Sequence, residues 1–213
     1  MNSIITRQAI IANLGNLSEI FPENSLIAGV DEVGRGCLFG PVVAAAVVMP
    51  VDKFNNLAQL GVKDSKQLSA RRRQKLDCRI KQQVINWQIG YATVAEIDRL
   101  NILQASLLAM RRSVNKLRPQ PQHCLIDGNH LIPDCHYSQT ALIKGDQNCL
   151  LIAAASILAK VWRDNLMINW SGDYPEYGLA QNKGYGTKAH RAAIYKYGYS
   201  RQHRKSFKLN FRD

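Results

Sequence analysis

An α/β domain with a small basic, helical C-terminal subdomain is the fold this sequence predicts. Three observations point to it. Short β-branched runs bounded by glycine and proline alternate with longer segments whose apolar residues recur every three or four positions. No internal repeat or low-complexity linker divides the chain. With 46% apolar and 21% charged residues in 213, the composition supports a buried core and argues against disorder.

The elements follow in order. Segments 26–30 and 41–49 read as buried strands, the first ending at Asp31-Glu32, with a glycine turn over 34–40 between them. Ser69 is placed to cap a helix whose narrow apolar stripe is Leu76, Ile80 and Val84. Segment 86–94 reads as a third strand. Leu100, Leu103, Leu107, Met110, Val114 and Leu117 mark a helix with one buried stripe, closed by Pro119. Segments 123–126 and 141–143 are short apolar runs leading to Asp127 and Asp146, and both read as strands. Helical spacing returns over 149–165, where Leu151, Ala154, Ala155, Leu158 and Trp162 share one side and Ser156, Lys160 and Arg163 another. Thr187 caps a last helix over 188–197, and Gly198 ends it.

The 28 Lys and Arg against 16 Asp and Glu leave a net charge of +12, which predicts a polyanionic partner. From 181 onward, nine basic residues stand against Asp213 alone, so this stretch carries +8 of the +12. A second basic run holds Arg71, Arg72, Arg73, Lys75, Arg79 and Lys81, with Asp77 its single acid. Each run alone reads rather as a solvated helix face, and it is the two together, flanking the acidic candidates, that point to a bound polyanion. The longest uncharged apolar stretch, 37–51, is shorter than the roughly 20 residues of a spanning helix and contains Gly40, Pro41 and Pro50, so no membrane is expected as a partner. Arg7, Gln8 and Asn13 interrupt the N-terminal apolar residues, against a secretory signal. Five cysteines without a CxxC pair fit a reduced, cytoplasmic protein.

Asp31, Glu32, Asp127 and Asp146 all stand at or just beyond the ends of predicted strands, where open sheets form ligand crevices. Four convergent carboxylates repel one another unless cations intervene, and hard divalent ions take such oxygens. Taken singly, each acid also reads as a turn residue, as in Asp127-Gly128. Neighbours on a regular strand face opposite sides, so Asp31 and Glu32 share one metal only if the chain leaves the extended form there, a departure that Gly34-Arg35-Gly36 immediately afterwards provides. Gly34-Arg35-Gly36 is a plain turn or a place where backbone amides approach a sugar or phosphate. Rival chemistries remain: His130, His136 or His203 as a general base, and a zinc site from Cys124, His130, Cys135 and His136, whose spacing matches no common pattern. Trp87 and Trp162 read as packing residues, and Tyr185 as either a stacking residue or a loop tyrosine.

Gly29-Val30-Asp31-Glu32-Val33-Gly34-Arg35-Gly36, followed by Gly40-Pro41-Val42-Val43-Ala44-Ala45-Ala46, resembles the opening of the ribonuclease HII family. Asp64-Ser65-Lys66, Ile126-Asp127-Gly128-Asn129, Lys144-Gly145-Asp146, the alanine-rich stretch ending Ser156-Ile157-Leu158-Ala159-Lys160, Asn182-Lys183-Gly184-Tyr185-Gly186-Thr187 and His203-Arg204-Lys205-Ser206-Phe207 follow in the family's order. The resemblance implies a ribonuclease H-like mixed five-stranded sheet flanked by helices. It divides the chain into an N-terminal extension, 1–24, holding an extra helix without an assigned role; a catalytic domain, 25–180; and a basic substrate-binding region, 181–213. It also implies an endonuclease that uses two divalent ions, Mg²⁺ or Mn²⁺. Such an enzyme cuts the RNA strand of RNA/DNA hybrids and single ribonucleotides in duplex DNA, leaving 3′-hydroxyl and 5′-phosphate ends.

On the same resemblance, Asp31, Glu32, Asp127 and Asp146 are the catalytic and metal-binding acids. Gly34, Arg35 and Gly36 sense the ribonucleotide, Tyr185 stacks on the neighbouring deoxyribose, and Lys63, Ser65 and Lys66 contact the backbone near the cut. A monomer is expected. Cys37, Phe39, Cys149 and Leu151 depart from the family pattern without removing an acid. The competing class is a non-catalytic basic duplex-binding protein, for which carboxylates facing phosphate have no use.

Overall fold

The computed structural model describes residues 8, 10, 17–62, 65 and 68–208. Its strands are β1 (Leu26–Val33), β2 (Val42–Pro50), β3 (Asn86–Ala92), β4 (His123–Asp127) and β5 (Ser138–Leu142). They form one mixed five-stranded sheet in the order β3-β2-β1-β4-β5. The β1–β2 and β2–β3 pairs are antiparallel, while β1–β4 and β4–β5 are parallel. Around it run α1 (Phe54–Gln59), α2 (Ala70–Gln83), α3 (Val94–Leu100), α4 (Ile102–Asn115), α5 (Gly145–Asn148), α6 (Leu150–Trp170), α7 (Leu179–Asn182) and α8 (Lys188–Tyr197).

Strand alternation assigns the two faces of the sheet. Ile27, Ala45, Val47, Met49, Leu125 and Leu142 point to α6 and pack with its Leu151, Ala154, Ala155 and Leu158. Ala28, Val30, Ala44, Ala46, Val48 and Ile126 point the other way, onto Ala105, Ala109, Met110 and Val114 of α4. Both helices come close because a side chain is missing. A Cβ on Gly29 would lie 2.4 Å from the carbonyl carbon of Leu151, and one on Gly90 2.1 Å from the carbonyl oxygen of Ala109. A third cluster, Phe39, Met167, Tyr177, Leu179 and Ile194, seats the C-terminal region beside the end of α6. Ile10, Leu17 and Phe21 are buried on the α6 side, while most of the helix expected within 1–24 lies outside the described residues.

Several boundaries move, each for a local reason. β1 runs through Asp31 and Glu32 to Val33, because Val33 still pairs with Val43 of β2. β3 stops at Ala92, short of the expected 94, because Thr93 forms a capping box with Glu96 and opens α3. The single helix expected over 100–117 is two. Asn101, at φ 73°, ends α3 and caps α4 by accepting from the Gln104 amide. The fifth strand begins at Ser138 and ends before the exposed Ile143.

No helix among the described residues is long and apolar enough to cross a membrane, and the five cysteines are free. Gly29→Ala is expected to cost about 1–3 kcal/mol, because the long helix must back away from the sheet. Denaturant midpoints of wild type and variant check this, and an unchanged midpoint would show that the helix–sheet distance is not set there.

Candidate active site

β1 and β4 are paired only as far as Val30 and Ile126, so the side of β1 that faces β4 is open from Asp31 onward. Into this opening leads a cavity of about 220 Å³ whose lining includes Asp31, Glu32, Gly34, Arg35, Asp127 and Tyr185. The backbone stays extended through the two neighbouring acids to Val33, and the departure comes just after them, in the glycine turn where the sequence places it. The chain turns only at Gly34, with φ 90°. Both acids border the cavity because the open edge admits side chains from either face.

The acids act on one another through their charges. Burial, then the charges of Glu32 and Asp127, push the Asp31 carboxyl well above its ordinary range, although the Ser156 hydroxyl and the Glu32 amide pull it down. The Glu32 amide donates to Asp31 Oδ1 at 2.7 Å. Burial likewise raises Glu32, opposed by Arg35, whose Nη1 donates to Glu32 Oε1 at 3.3 Å, and assisted by Asp127. Asp146, on α5, is 4% exposed and sends its backbone N–H to Asp127 Oδ1 at 3.3 Å, but its side chain is not part of the cavity lining. Among the described residues, no three His, Cys, Asp or Glu side chains are already closed around a metal-sized point. What suits divalent cations is the chemistry: oxygen donors, buried, and repelling one another.

Two buried arginines hold the surrounding loops. Arg163 of α6 donates from Nε to the Pro41 carbonyl (3.1 Å), from Nη2 to Phe39 (2.8 Å) and from Nη1 to Lys183 (2.7 Å). Gly34 makes room for it, since a Cβ there would lie 2.3 Å from Arg163 Nε. Arg204 donates to the Gly40 and Arg35 carbonyls at 2.9 and 2.8 Å. The glycine turn is thereby tied to the loop of Tyr185, and a bridge between Cys37 and Tyr185 continues the tie. The Tyr185 ring is 38% exposed, with the Lys160 ammonium 5.3 Å from its centroid.

Ser65 is buried, its Oγ 2.9 Å from Ser156 Oγ at the cavity wall, whereas Lys63 and Lys66 lie outside the described residues. Gly36 has open space where a Cβ would be. The rival histidines are elsewhere: His130 and His136 are exposed, and His203 is buried against His190, all three outside the cavity lining. Cys124 and Cys135 interact with each other, and no zinc cluster forms among the described residues. Trp162 is half-buried and lies against the exposed ring of Tyr91, centroids 6.2 Å apart.

The model of the family described as Ribonuclease HII matches residues 28–211. The chain belongs to the ribonuclease HII family. A Ribonuclease HII of Microcystis aeruginosa is 59% identical over 182 residues, 85% of this chain and 87% of that one. The ribonuclease H2 of Pyrococcus horikoshii OT3 superposes with a TM-score of 0.73 at 28% identity, covering 86% of this chain and 94% of the other. Bst-RNase HIII, solved in complex with Mn²⁺, gives 0.66 at 26% identity, over 83% and 64%. The protein is therefore a ribonuclease H, an endoribonuclease, and the reading as a purely binding protein falls.

Four residues with no role expected from the sequence, Ser156, Lys160, Arg73 and Asp164, also belong to the site. Ser156 and Lys160 line the cavity, and Asp164 accepts from Lys160 Nζ at 2.8 Å and faces Arg73 Nη2 at 3.8 Å. Their signal was present: 156, 160 and 164 form a polar stripe at four-residue spacing through an apolar helix.

The Asp31 carboxyl titrates higher in the folded chain than its ordinary 3.8. The folded state therefore retains a proton the unfolded chain has released, and the resulting stability is present at low pH and lost as pH rises. Asp31→Asn, in EDTA at pH 7, is expected to melt a few degrees above wild type, with the gap narrowing toward pH 4. Thermal scans across that range check it, and a lower melting temperature at pH 7 contradicts the repulsion.

Proposed function

We propose that this endoribonuclease hydrolyses the RNA strand of RNA/DNA hybrids and cuts at single ribonucleotides in duplex DNA, leaving 3′-hydroxyl and 5′-phosphate ends. The carrying observation is that three acids, Asp31, Glu32 and Asp127, border one cavity together with Gly34, Arg35 and Tyr185. Asp31, Glu32 and Asp127 are the direct holders of Mg²⁺ or Mn²⁺, with Asp146 beside Asp127 completing the set. Two such ions, when bound, activate the attacking water and stabilise the leaving 3′-oxygen.

The chain's own residues do the rest. Partial burial of the carboxylates reduces solvent screening, so their charge is felt more strongly by whatever enters. The Gly34 turn, clamped by Arg163 and Arg204, offers backbone groups to the 2′-hydroxyl, the one group that distinguishes a lone ribonucleotide in DNA. Tyr185 lies against the following deoxyribose. Ser65, with Lys63 and Lys66, contacts the strand near the cut, and the basic region 181–213 follows the duplex backbone. The enzyme acts as a monomer in the cytoplasm, where the five free cysteines fit a reducing milieu.

The test is a duplex bearing one ribonucleotide, incubated with Mg²⁺, Mn²⁺ or EDTA. Cleavage 5′ to the ribonucleotide with either metal and none in EDTA is expected, and Asp127→Asn should lower the rate by at least about 100-fold. Full turnover in EDTA, or by Asp127→Asn at saturating metal, would overturn the assignment. In a second measurement, Tyr185→Ala should slow cleavage at an isolated ribonucleotide more than within a long RNA tract, because only the isolated site has a deoxyribose on its 3′ side. Equal losses on both would make the tyrosine purely structural.

A further inference from the structure

Behind Tyr185 lies a pair of buried imidazoles that the reaction does not use. His190 of α8 is 0% exposed and His203 1%. Their Nε2 atoms are 3.2 Å apart. His190 Nδ1 is 2.9 Å from the Tyr185 carbonyl oxygen, and His203 Nδ1 is 2.9 Å from both the backbone nitrogen and the hydroxyl of Ser200.

The partners at the two ends fix every proton between them. A carbonyl oxygen only accepts, so His190 Nδ1 carries a hydrogen. A backbone N–H only donates, so His203 Nδ1 is bare and that ring's hydrogen is on Nε2. The central nitrogen pair then holds one proton, donated by His203 Nε2 to the bare Nε2 of His190. Both rings are neutral, and each is held in one tautomer. Adding a proton to His190 would set two N–H groups against each other, and adding one to His203 would set its Nδ1–H against the Ser200 amide. Burial agrees with this, holding His203 down at about 4 and lowering His190.

We propose that Ser200, His203 and His190 form a one-way hydrogen-bond relay that holds the Tyr185 carbonyl and so sets the tyrosine ring for junction recognition. His190 and His203 are then positioning residues, and the proposal rests on the reading that Tyr185 meets the substrate sugar. The Tyr185 carbonyl also accepts from the Thr187 amide at 2.8 Å, so its two lone pairs are filled from two directions. That fixes the peptide plane from which the ring projects. The relay's far end also belongs to the site's frame. His203 bridges Phe39, beside the glycine turn, and the next residue, Arg204, donates to the Arg35 carbonyl. The relay therefore connects the segment that seats Arg35 to the one that seats Tyr185.

Substitution separates positioning from packing. In His190→Gln the amide stands where Nε2 was, so contact with His203 survives while the donor to Tyr185 is lost. In His190→Asn an amide N–H stands near the Nδ1 position and the donor is kept. Cleavage of an isolated ribonucleotide relative to a long RNA tract is measured for both variants, alone and combined with Tyr185→Ala. Independently, ¹⁵N–¹H correlation of the imidazoles reads the tautomers in wild type.

His190→Gln should lower the isolated-to-tract ratio by the same factor as Tyr185→Ala, His190→Asn should restore most of it, and neither should lower it further once Tyr185 is Ala. The spectra should show Nδ1–H at His190 and Nε2–H at His203. Equal slowing on both substrates, or the opposite tautomers, would overturn the relay. If Tyr185→Ala itself left the ratio unchanged, the role given to Tyr185 would fall, and the relay's function with it, while the tautomers would still report the hydrogen bonds.

Discussion

The architecture of the site depends on one buried guanidinium. Arg163 is 0% exposed, and its charge is satisfied by three backbone carbonyls, Pro41, Phe39 and Lys183, rather than by an acid. A buried cation of this kind is costly unless its donors are matched, and three carbonyls from two loops match them. The constraint runs both ways. The loops are fixed relative to α6 because the arginine requires them, and the arginine is tolerated because the loops are there. Gly34 is part of the bargain, since only a residue without Cβ lets the guanidinium stem pass so closely.

From this point the geometry of the site follows. α6 presses on β1 through Gly29, so Ser156 and Lys160 of that helix face the carboxylates. The same helix, through Arg163, holds the Gly34 turn on one side and the Tyr185 loop on the other. The acid-lined cavity and the two loops beside it are thus held by one helix. The acids of that cavity oppose the fold: burial raises both Asp31 and Glu32, and the charges of Glu32 and Asp127 raise Asp31 further, while Arg35 partly relieves Glu32. Unfavourable electrostatics of this kind persist where function needs them and the surrounding packing can offset them.

Much of this was legible in the sequence. The strand-end acids stand out as a set, the glycine turn and Tyr185 only through the family resemblance, and the structure gathers Asp31, Glu32, Asp127, Gly34, Arg35 and Tyr185 around one cavity. What was not legible depended on competition between local signals. Asn101 was hidden inside an unbroken apolar periodicity, and only its left-handed conformation shows that it ends one helix and caps the next. Thr93 and Glu96 formed a capping box that the strand-like run through Val94 obscured. Arg163 reads as one more polar position on a helix, because nothing in a sequence says that two of its three carbonyl partners lie more than a hundred positions away. His203 looked like a candidate base, whereas burial and the His190 contact make it neutral and structural.

The most direct test of this account is hydrogen exchange in Arg163→Lys, which keeps the charge but loses the fork of donors. The amides of Leu38 and Phe39, which donate to the Gly184 carbonyl, and those of Gly184 and Tyr185, which donate to Asn182, should exchange much faster than in wild type. The β1 amides from Ile27 to Val30 should keep their protection. Unchanged protection in the two loops, or an equal loss in loops and strand, would contradict the claim that this arginine holds the two loops to the sheet that carries the acids.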